Sequence, residues 1–288
     1  MNMSHDAAAM SVTRAEGEFG AWEMAWRGPH RALASDIVSY TGVRSRLAIS
    51  AELHLPCGEA VLAINLGEPH RIVGEDACEL VFGHASAALM GVHRRPFVTH
   101  SDGRKQLMLV RLRPGAAHRL FGGSMADHTD RWVDLSDIDR PFAQTLTAAA
   151  MGQDDWVGRF RAVEDLIGAR LSEKAPGPSI TDWAWEQMRL AGGQIGVSRL
   201  ADATGHSHRR LIACFRAELG VTPKTAARLL RFNRVLRGMR KLKAAAGAAL
   251  AHDCGYADQA HMISEFRSFA GATPTEIARR AVGYSLRA

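Results

Sequence analysis

The sequence predicts an α+β multidomain chain. An antiparallel β-barrel with following helices comes first, then an all-α domain of two similar helix pairs joined by one long helix. Three observations lead there. From Ser35 to about Arg113, short apolar runs alternate with turn residues at strand spacing. Beyond residue 180 the apolar spacing is helical throughout. Within that second half FRAELGVTP, at 215–223, returns as FRSFAGATP, at 266–274, 51 positions later.

Composition sets the outer limits. At 288 residues the chain can bury a separate core in each half. A hydrophobic share of 47% and a charged share of 23% are those of globular protein. No apolar run approaches the roughly 18 residues of a membrane span, so no membrane partner is expected. The first 20 residues carry mixed charges and no apolar block, which predicts no signal peptide. Residues 1–30 read as a loose arm. Cys57, Cys78, Cys214 and Cys254 are far apart and form no CxxC pair. That spacing suits reduced thiols in a cytoplasmic protein, not a disulfide framework or a zinc site. The net charge of +6 divides unevenly, +9 over residues 179–288 and −3 over residues 1–178. A basic half beside a slightly acidic one points to a nucleic-acid-facing module, with a merely solvated basic surface as the alternative.

The elements follow in order. RLAISAELHL (46–55) alternates apolar and polar positions, and EAVLAINLG, ELVFGH, SAALMGVH and KQLMLVRL are short apolar runs. Turn signals bound them, among them 56–58, Gly67, Gly74, Gly83, Gly91 and 102–103. These strands make a domain of residues 31–135. RPGAAHRLFGGS then predicts a short helix closed by Gly122 and Gly123. Residues 136–172 are helical, with Trp156, Phe160, Val163, Ile167 and Leu171 on one face. That stripe suits either the core of its own domain or a dimer surface. SEKAPGPS, at 172–179, gives a linker over 173–179, so the basic half, 180–286, is expected to be separable.

The basic half opens with TDWAWEQMRLAGG, where Thr181 is a candidate cap and Gly192-Gly193 a stop. The repeat then extends upstream of the quoted nine residues. Leu200, Ala201 and Gly205 match Leu250, Ala251 and Gly255 at an offset of 50, so the second turn is one residue longer. Each unit reads as helix, glycine turn, capped helix, buried Phe, then Gly-x-Thr-Pro opening the next helix. This is the layout of a helix-turn-helix, whose second helix enters the major groove. The units span about 196–220 and 247–271, with the joining helix at 222–241. Ser207 and Asp258 cap the two second helices, and Phe215 and Phe266 anchor them. Thr222 caps the joining helix, with Pro223 at its first position, where a missing N–H costs nothing.

On these residues, LADATGHSHRRLIACFRAELGVTPKTAARLLRFNRVL and above all LAHDCGYADQAHMISEFRSFAGATPTEI, the chain resembles the paired helix-turn-helix domain of AraC/XylS-type transcription regulators. Upstream, LPCGEAVLAINLGEP and RLRPGAAHRLFGGSMADHTDRWVDLSDI resemble the sensing domain of an actinobacterial-type branch of that family. The resemblance implies a cupin-like β-barrel followed by dimerisation helices. It implies a sequence-specific regulator whose partners are double-stranded DNA, a small-molecule effector, RNA polymerase and a second copy of the chain. It implies no cofactor and no catalytic residue. Base-reading positions fall on His208, Arg209, Ile212 and Ala213 in the first unit, and on Gln259, Ala260, His261 and Ser264 in the second. Ser207, Arg210, Lys224 and Arg231 are the phosphate contacts it suggests.

Chemistry supports part of this set. Arg209 suits guanine, Gln259 suits adenine, and Ile212 or Ala213 can meet a thymine methyl. Ile212 and Ala213 stand where many relatives carry polar readers, so hydrogen-bond readout in the first unit rests on Arg209 and its neighbour. The first second-helix, 207–216, carries +3, while its counterpart, 258–267, carries −1 through Asp258 and Glu265 against Arg267. The first unit is therefore expected to hold most of the specificity.

Arg228, Arg231, Arg234, Arg237 and Arg240 recur every three residues. Such a row drifts by about 60° per step around a helix and cannot all face DNA.

The rival reading is a cupin-type metal-dependent enzyme fused to a helical domain. His54, His70, His84, His93 and His100 are numerous, yet none forms an HxH pair, so no metal site is predicted. A methyl-accepting role for Cys57 is also weak, because no His or Arg adjoins it in sequence to lower its pKa.

Overall fold

The computed structural model describes residues 9–17, 20–46, 50–74, 79–101, 104–174, 179–242 and 247–281. Its strands are β1 (Ser11–Gly17), β2 (Gly20–Arg27), β3 (Ile37–Ser45), β4 (Ser50–His54), β5 (Ala60–Asn65), β6 (His70–Gly74), β7 (Glu79–Phe82), β8 (Ser86–Met90), β9 (Phe97–Ser101), β10 (Lys105–Leu112) and β11 (Trp132–Asp134). They form two antiparallel sheets, β1-β2-β3-β10-β5-β8-β11 and β4-β9-β6-β7, which face each other as a cupin-like barrel. Central β5 shows why the barrel holds. All six of its residues are buried. Ala60, Leu62 and Ile64 pack toward the helices behind the large sheet, while Ala63 packs with Ile72 and Phe82 between the sheets. A strand covered on both faces needs this unbroken apolar run.

The helices are α1 (Pro114–Phe121), α2 (Leu135–Met151), α3 (Trp156–Lys174), α4 (Ile180–Leu190), α5 (Val197–Thr204), α6 (His208–Leu219), α7 (Pro223–Leu242), α8 (Ala248–Asp253), α9 (Gln259–Ala270) and α10 (Pro274–Ala281). α1 begins on Pro114 and stops at Gly122 and Gly123, both with positive φ. α2 is bent at Asp139, two residues before an interior proline, Pro141, that cannot donate to the helix ladder.

Two expectations change here. Within the expected arm of residues 1–30, residues 11–17 and 20–27 are not loose but pair as β1 and β2 and extend the large sheet beside β3, while residues 1–8 and 18–19 lie outside the described residues. The apolar stripe of α3 is spent inside its own domain and is not free for a dimer. Trp156, Phe160, Val163, Ile167 and Leu171 are all buried against the large sheet. Trp156 lies so close to Gly42 of β3 that any Cβ there would overlap its ring. Glu164, on the same helix, is buried in an ion pair with Arg27 at 2.5 Å and accepts from the His30 N–H at 2.7 Å.

The predicted linker is only partly visible. α3 runs to Lys174, residues 175–178 lie outside the described residues, and α4 starts behind Ser179. Ser179, not Thr181, caps α4, in a reciprocal capping box with Asp182. Thr181 is fully buried within the helix.

The two halves share packing. Leu55 and Val92 of the barrel belong to the apolar core that also holds Trp185, Phe215 and Phe232. Arg119 of α1 pairs with Asp36 on its own domain and with Asp182 on α4. Thr129 Oγ1 donates to the Gly220 carbonyl at the end of α6, at 3.1 Å. No helix among the described residues is long and apolar enough to cross a membrane.

Candidate nucleic-acid interface and barrel cavity

Each helix pair is built as its sequence dictates. α5 ends at Gly205, in the left-handed region at φ +66°. Ser207 then caps α6 by accepting from the Arg210 N–H at 3.3 Å. In the second pair Gly255 has φ +81°, and Asp258 caps α9 by accepting from the His261 N–H at 2.7 Å. Gly220 and Gly271, at φ +77° and +66°, end the two helices. Phe215 and Phe266 are fully buried anchors. Phe266 packs on Phe232 of the joining helix α7 at 4.8 Å between ring centres. Thr222 caps α7 through the Thr225 N–H at 3.2 Å, and Pro223 is its first residue.

The structure leaves the reading positions open. His208, Arg209 and Ala213 are exposed on the outer face of α6 and Ile212 is half-buried. Gln259, Ala260, His261 and Ser264 are all exposed on α9. Ser207, Arg210 and Lys224 are exposed at helix starts, where free backbone N–H groups favour a phosphate.

Arg231 is different. It lies inward, with Nη2 3.0 Å from Glu265, Nη1 3.2 Å from the Gly193 carbonyl and its guanidinium over the Tyr256 ring. Both of its terminal nitrogens are committed within the protein and its Nε is buried, which conflicts with its expected role at a phosphate. Glu265 is itself buried, held by Arg228 at 2.9 Å as well as Arg231. Its charge therefore does not face DNA, and the −1 counted for the second unit overstates the repulsion there. Sequence spacing could not show this, because the pair joins residues 34 positions apart on different helices.

A second feature lies between the two sheets of the barrel. It is a cavity of about 300 Å³, and apolar side chains make most of its wall. Its charged groups and some of its polar ones have partners within the protein. Lys105 Nζ is 2.9 Å from Glu52, and His54 Nε2 is 3.0 Å from Thr99 Oγ1. Arg111 Nε is 3.1 Å from Glu59 Oε2. His93 Nε2 is 3.1 Å from the Leu55 carbonyl. His70 and His93 are kept neutral, each with its pKa pushed down to about 4 by burial. Burial pushes the Cys57 thiol up, against the opposing pull of Arg111, and so disfavours the thiolate. Cys57, Cys214 and Cys254 are free thiols, and Cys78 lies outside the described residues. Among the described residues no three His, Cys, Asp or Glu side chains converge as a metal-ligand set.

The cavity wall is also the docking surface of the other half. Leu55 and Cys57 line the cavity, and the same loop meets α4 and α7 at Gly58. There a Cβ would sit 3.6 Å from both Trp185 and Asn233.

Comparison with known proteins agrees with this geometry. Residues 200–280 match the family described as a helix-turn-helix domain. Residues 27–134 match a domain of unknown function, DUF6597. No curated protein matches the chain. Among solved structures, ToxT from Vibrio cholerae is similar at a TM-score of 0.51 and 9% identity, over 83% of this chain and 98% of that one. A ToxT structure with bound unsaturated fatty acid gives 0.47 at 10% identity, over 96% and 97%. The AraC-like transcriptional activator CuxR gives 0.32 at 13% identity, over 80% and 86%. At such identities the likeness to ToxT is one of fold. The matched family, the two capped repeats and that fold make the C-terminal part of this chain an AraC-type helix-turn-helix domain, set behind a cupin-like β domain whose family has no assigned function.

Proposed function

We propose that this chain is a sequence-specific, cytoplasmic DNA-binding transcription regulator whose affinity for DNA is set by a small molecule in the barrel cavity. The observation that carries the DNA reading is the pair of capped second helices, α6 and α9, both presenting exposed N-terminal faces. His208, Arg209, Ile212 and Ala213 would read bases in one major groove, and Gln259, Ala260, His261 and Ser264 in the next. Two such units on one rigid helix suit grooves about 10 bp apart. Ser207, Arg210 and Lys224 would hold phosphates, while Arg231 braces α9 against α7. The effector reading rests on the cavity and on the loop of residues 55–59, which touches the cavity on one side and α4 and α7 on the other. RNA polymerase and a second copy of the chain are the protein partners this role would call for.

Binding-site selection with the full chain tests the DNA reading. Arg209→Ala should cost about 1–3 kcal/mol and relax preference at one or two base pairs. Gln259→Ala and His261→Ala should each cost less, because no cationic reader stands on α9 beside them. A larger loss of specificity from either second-unit change would overturn the assignment. Affinity should also fall with salt, at a log–log slope of roughly −0.9 per phosphate contacted.

A further inference from the structure

The cavity holds polar atoms that the fold does not use. Among the described residues, His93 Nδ1 and Trp132 Nε1 are buried without a hydrogen-bond partner, and the only backbone group that reaches the buried His70 ring is that of nearby Glu68. His70 is 4% exposed and His93 3%. A buried polar group left unpaired is costly, so groups like these belong where a bound molecule meets them. All three rings line the cavity.

The charges there show the opposite pattern. Each cation on the wall already has its anion within the protein, Lys105 with Glu52 and Arg111 with Glu59. Lys105 is 3% exposed and Glu52 13%, so this pair is shielded from water. An anionic ligand would meet Glu52 on the wall and cations already paired with Glu52 and, outside the cavity, with Glu59, and would gain no uncompensated positive charge for its lost hydration. A cationic ligand meets the mirror of that problem. The remaining surface is aromatic and aliphatic. Phe97 is stacked with His54 at 4.6 Å and stands edge-on to Trp132 at 5.7 Å, and Trp26 and Phe82 add further ring faces. Such a surface suits a flat ring.

We infer that the effector is an uncharged, largely apolar ring compound that bears a hydroxyl, carbonyl or ring nitrogen, with His70, His93 and Trp132 as the groups that recognise its polar atoms. This inference rests on the proposed regulatory role of the cavity and adds the chemical class. The three polar groups fix orientation, and the paired charges set specificity by excluding ionised analogues of the same shape.

The test uses the full chain and two probes of nearly equal shape, 2-naphthol and 2-naphthoate, with binding read by calorimetry and by tryptophan fluorescence. 2-Naphthol should bind at least about 100-fold more tightly than 2-naphthoate, whose charge would be buried without a partner. His70→Phe keeps a ring of similar size and should weaken 2-naphthol by about tenfold through one lost hydrogen bond. Glu52→Gln releases Lys105 from its anion and should narrow the preference by about tenfold or more. Should that variant fold poorly, Glu52→Leu combined with Lys105→Met removes both charges and should keep the preference for the neutral probe. Tighter binding of 2-naphthoate to the unaltered chain overturns the assigned class, and binding of neither probe overturns the cavity as a ligand site. A gel-shift with and without 2-naphthol separates the two readings. If 2-naphthol binds the cavity but leaves DNA affinity unchanged, the class stands and the regulatory reading falls.

Discussion

Glu265, His70 and His93 are all buried, so a change at any of them is felt by the whole fold. Glu265 was legible only as an acid on a helix expected to face DNA. Its burial between Arg228 and Arg231 depends on how α9 crosses α7, which no local pattern encodes. Removing one member of a buried ion pair strands the others, so Glu265→Ala should destabilise the fold by about 3 kcal/mol. Arg209→Ala, on an exposed face, should leave the melting temperature nearly unchanged. Thermal denaturation of both variants checks this, and equal effects would refute the inward placement of Glu265. The cavity histidines give a pH prediction. In the unfolded chain they titrate near 6.5, and in the fold only near 4. Between those values the unfolded state binds more protons, so stability falls as pH drops through that window, by about 1 kcal/mol per pH unit for each histidine. His93→Phe should make the dependence shallower. A melting temperature that stays flat from about pH 7 to about pH 5 would contradict it.

At the scale of elements, the helical half was almost wholly legible and the barrel only in part. Caps, glycine stops and Pro223 are local devices, so Ser207, Asp258, Gly220 and Gly271 could be assigned from their neighbours alone. Thr181 failed because Ser179 offered a better cap two residues earlier, with Asp182 placed to complete the box. In the barrel, β5, β7, β8 and β10 announced themselves as apolar runs. β1 and β2 did not, since a hairpin at a sheet edge keeps polar residues on its open face. β6 (HRIVG) and β9 (FVTHS) mix polar residues into five positions instead of forming an apolar run, and β11 has only three residues. The stripe on α3 was seen, but whether it met a sheet or a second chain was settled only by its packing on β3. Gly42→Ala should therefore cost about 1–3 kcal/mol through displacement of Trp156, measured by denaturant unfolding. Proline at Asn233, in the middle of α7, should cost about 3 kcal/mol or more and disturb the spacing of the two units. An unchanged footprint from a folded Asn233→Pro variant would argue against a rigid connector.

For the whole molecule, the linker pattern and the charge split suggested two separable halves. The packing joins them more closely, because Leu55 and Val92 sit in the core of the helical half and Arg119 clamps α1 to α4. A fragment of residues 179–288 loses that cover. It should still bind DNA but melt at a lower temperature than the full chain, and a calorimetric scan of each would show it. A fragment as stable as the whole would mean that the contact contributes little. The same contact limits how such a protein can be recombined. A loop that is at once the wall of one compartment and the lining of the next cannot be recut for a new ligand without also being refitted to α7. Chimeras that graft this barrel onto a foreign pair of helix-turn-helix units would have to carry the matching residues of α4 and α7 with it. In this chain a change of ligand preference and a change of operator are inherited through one seam.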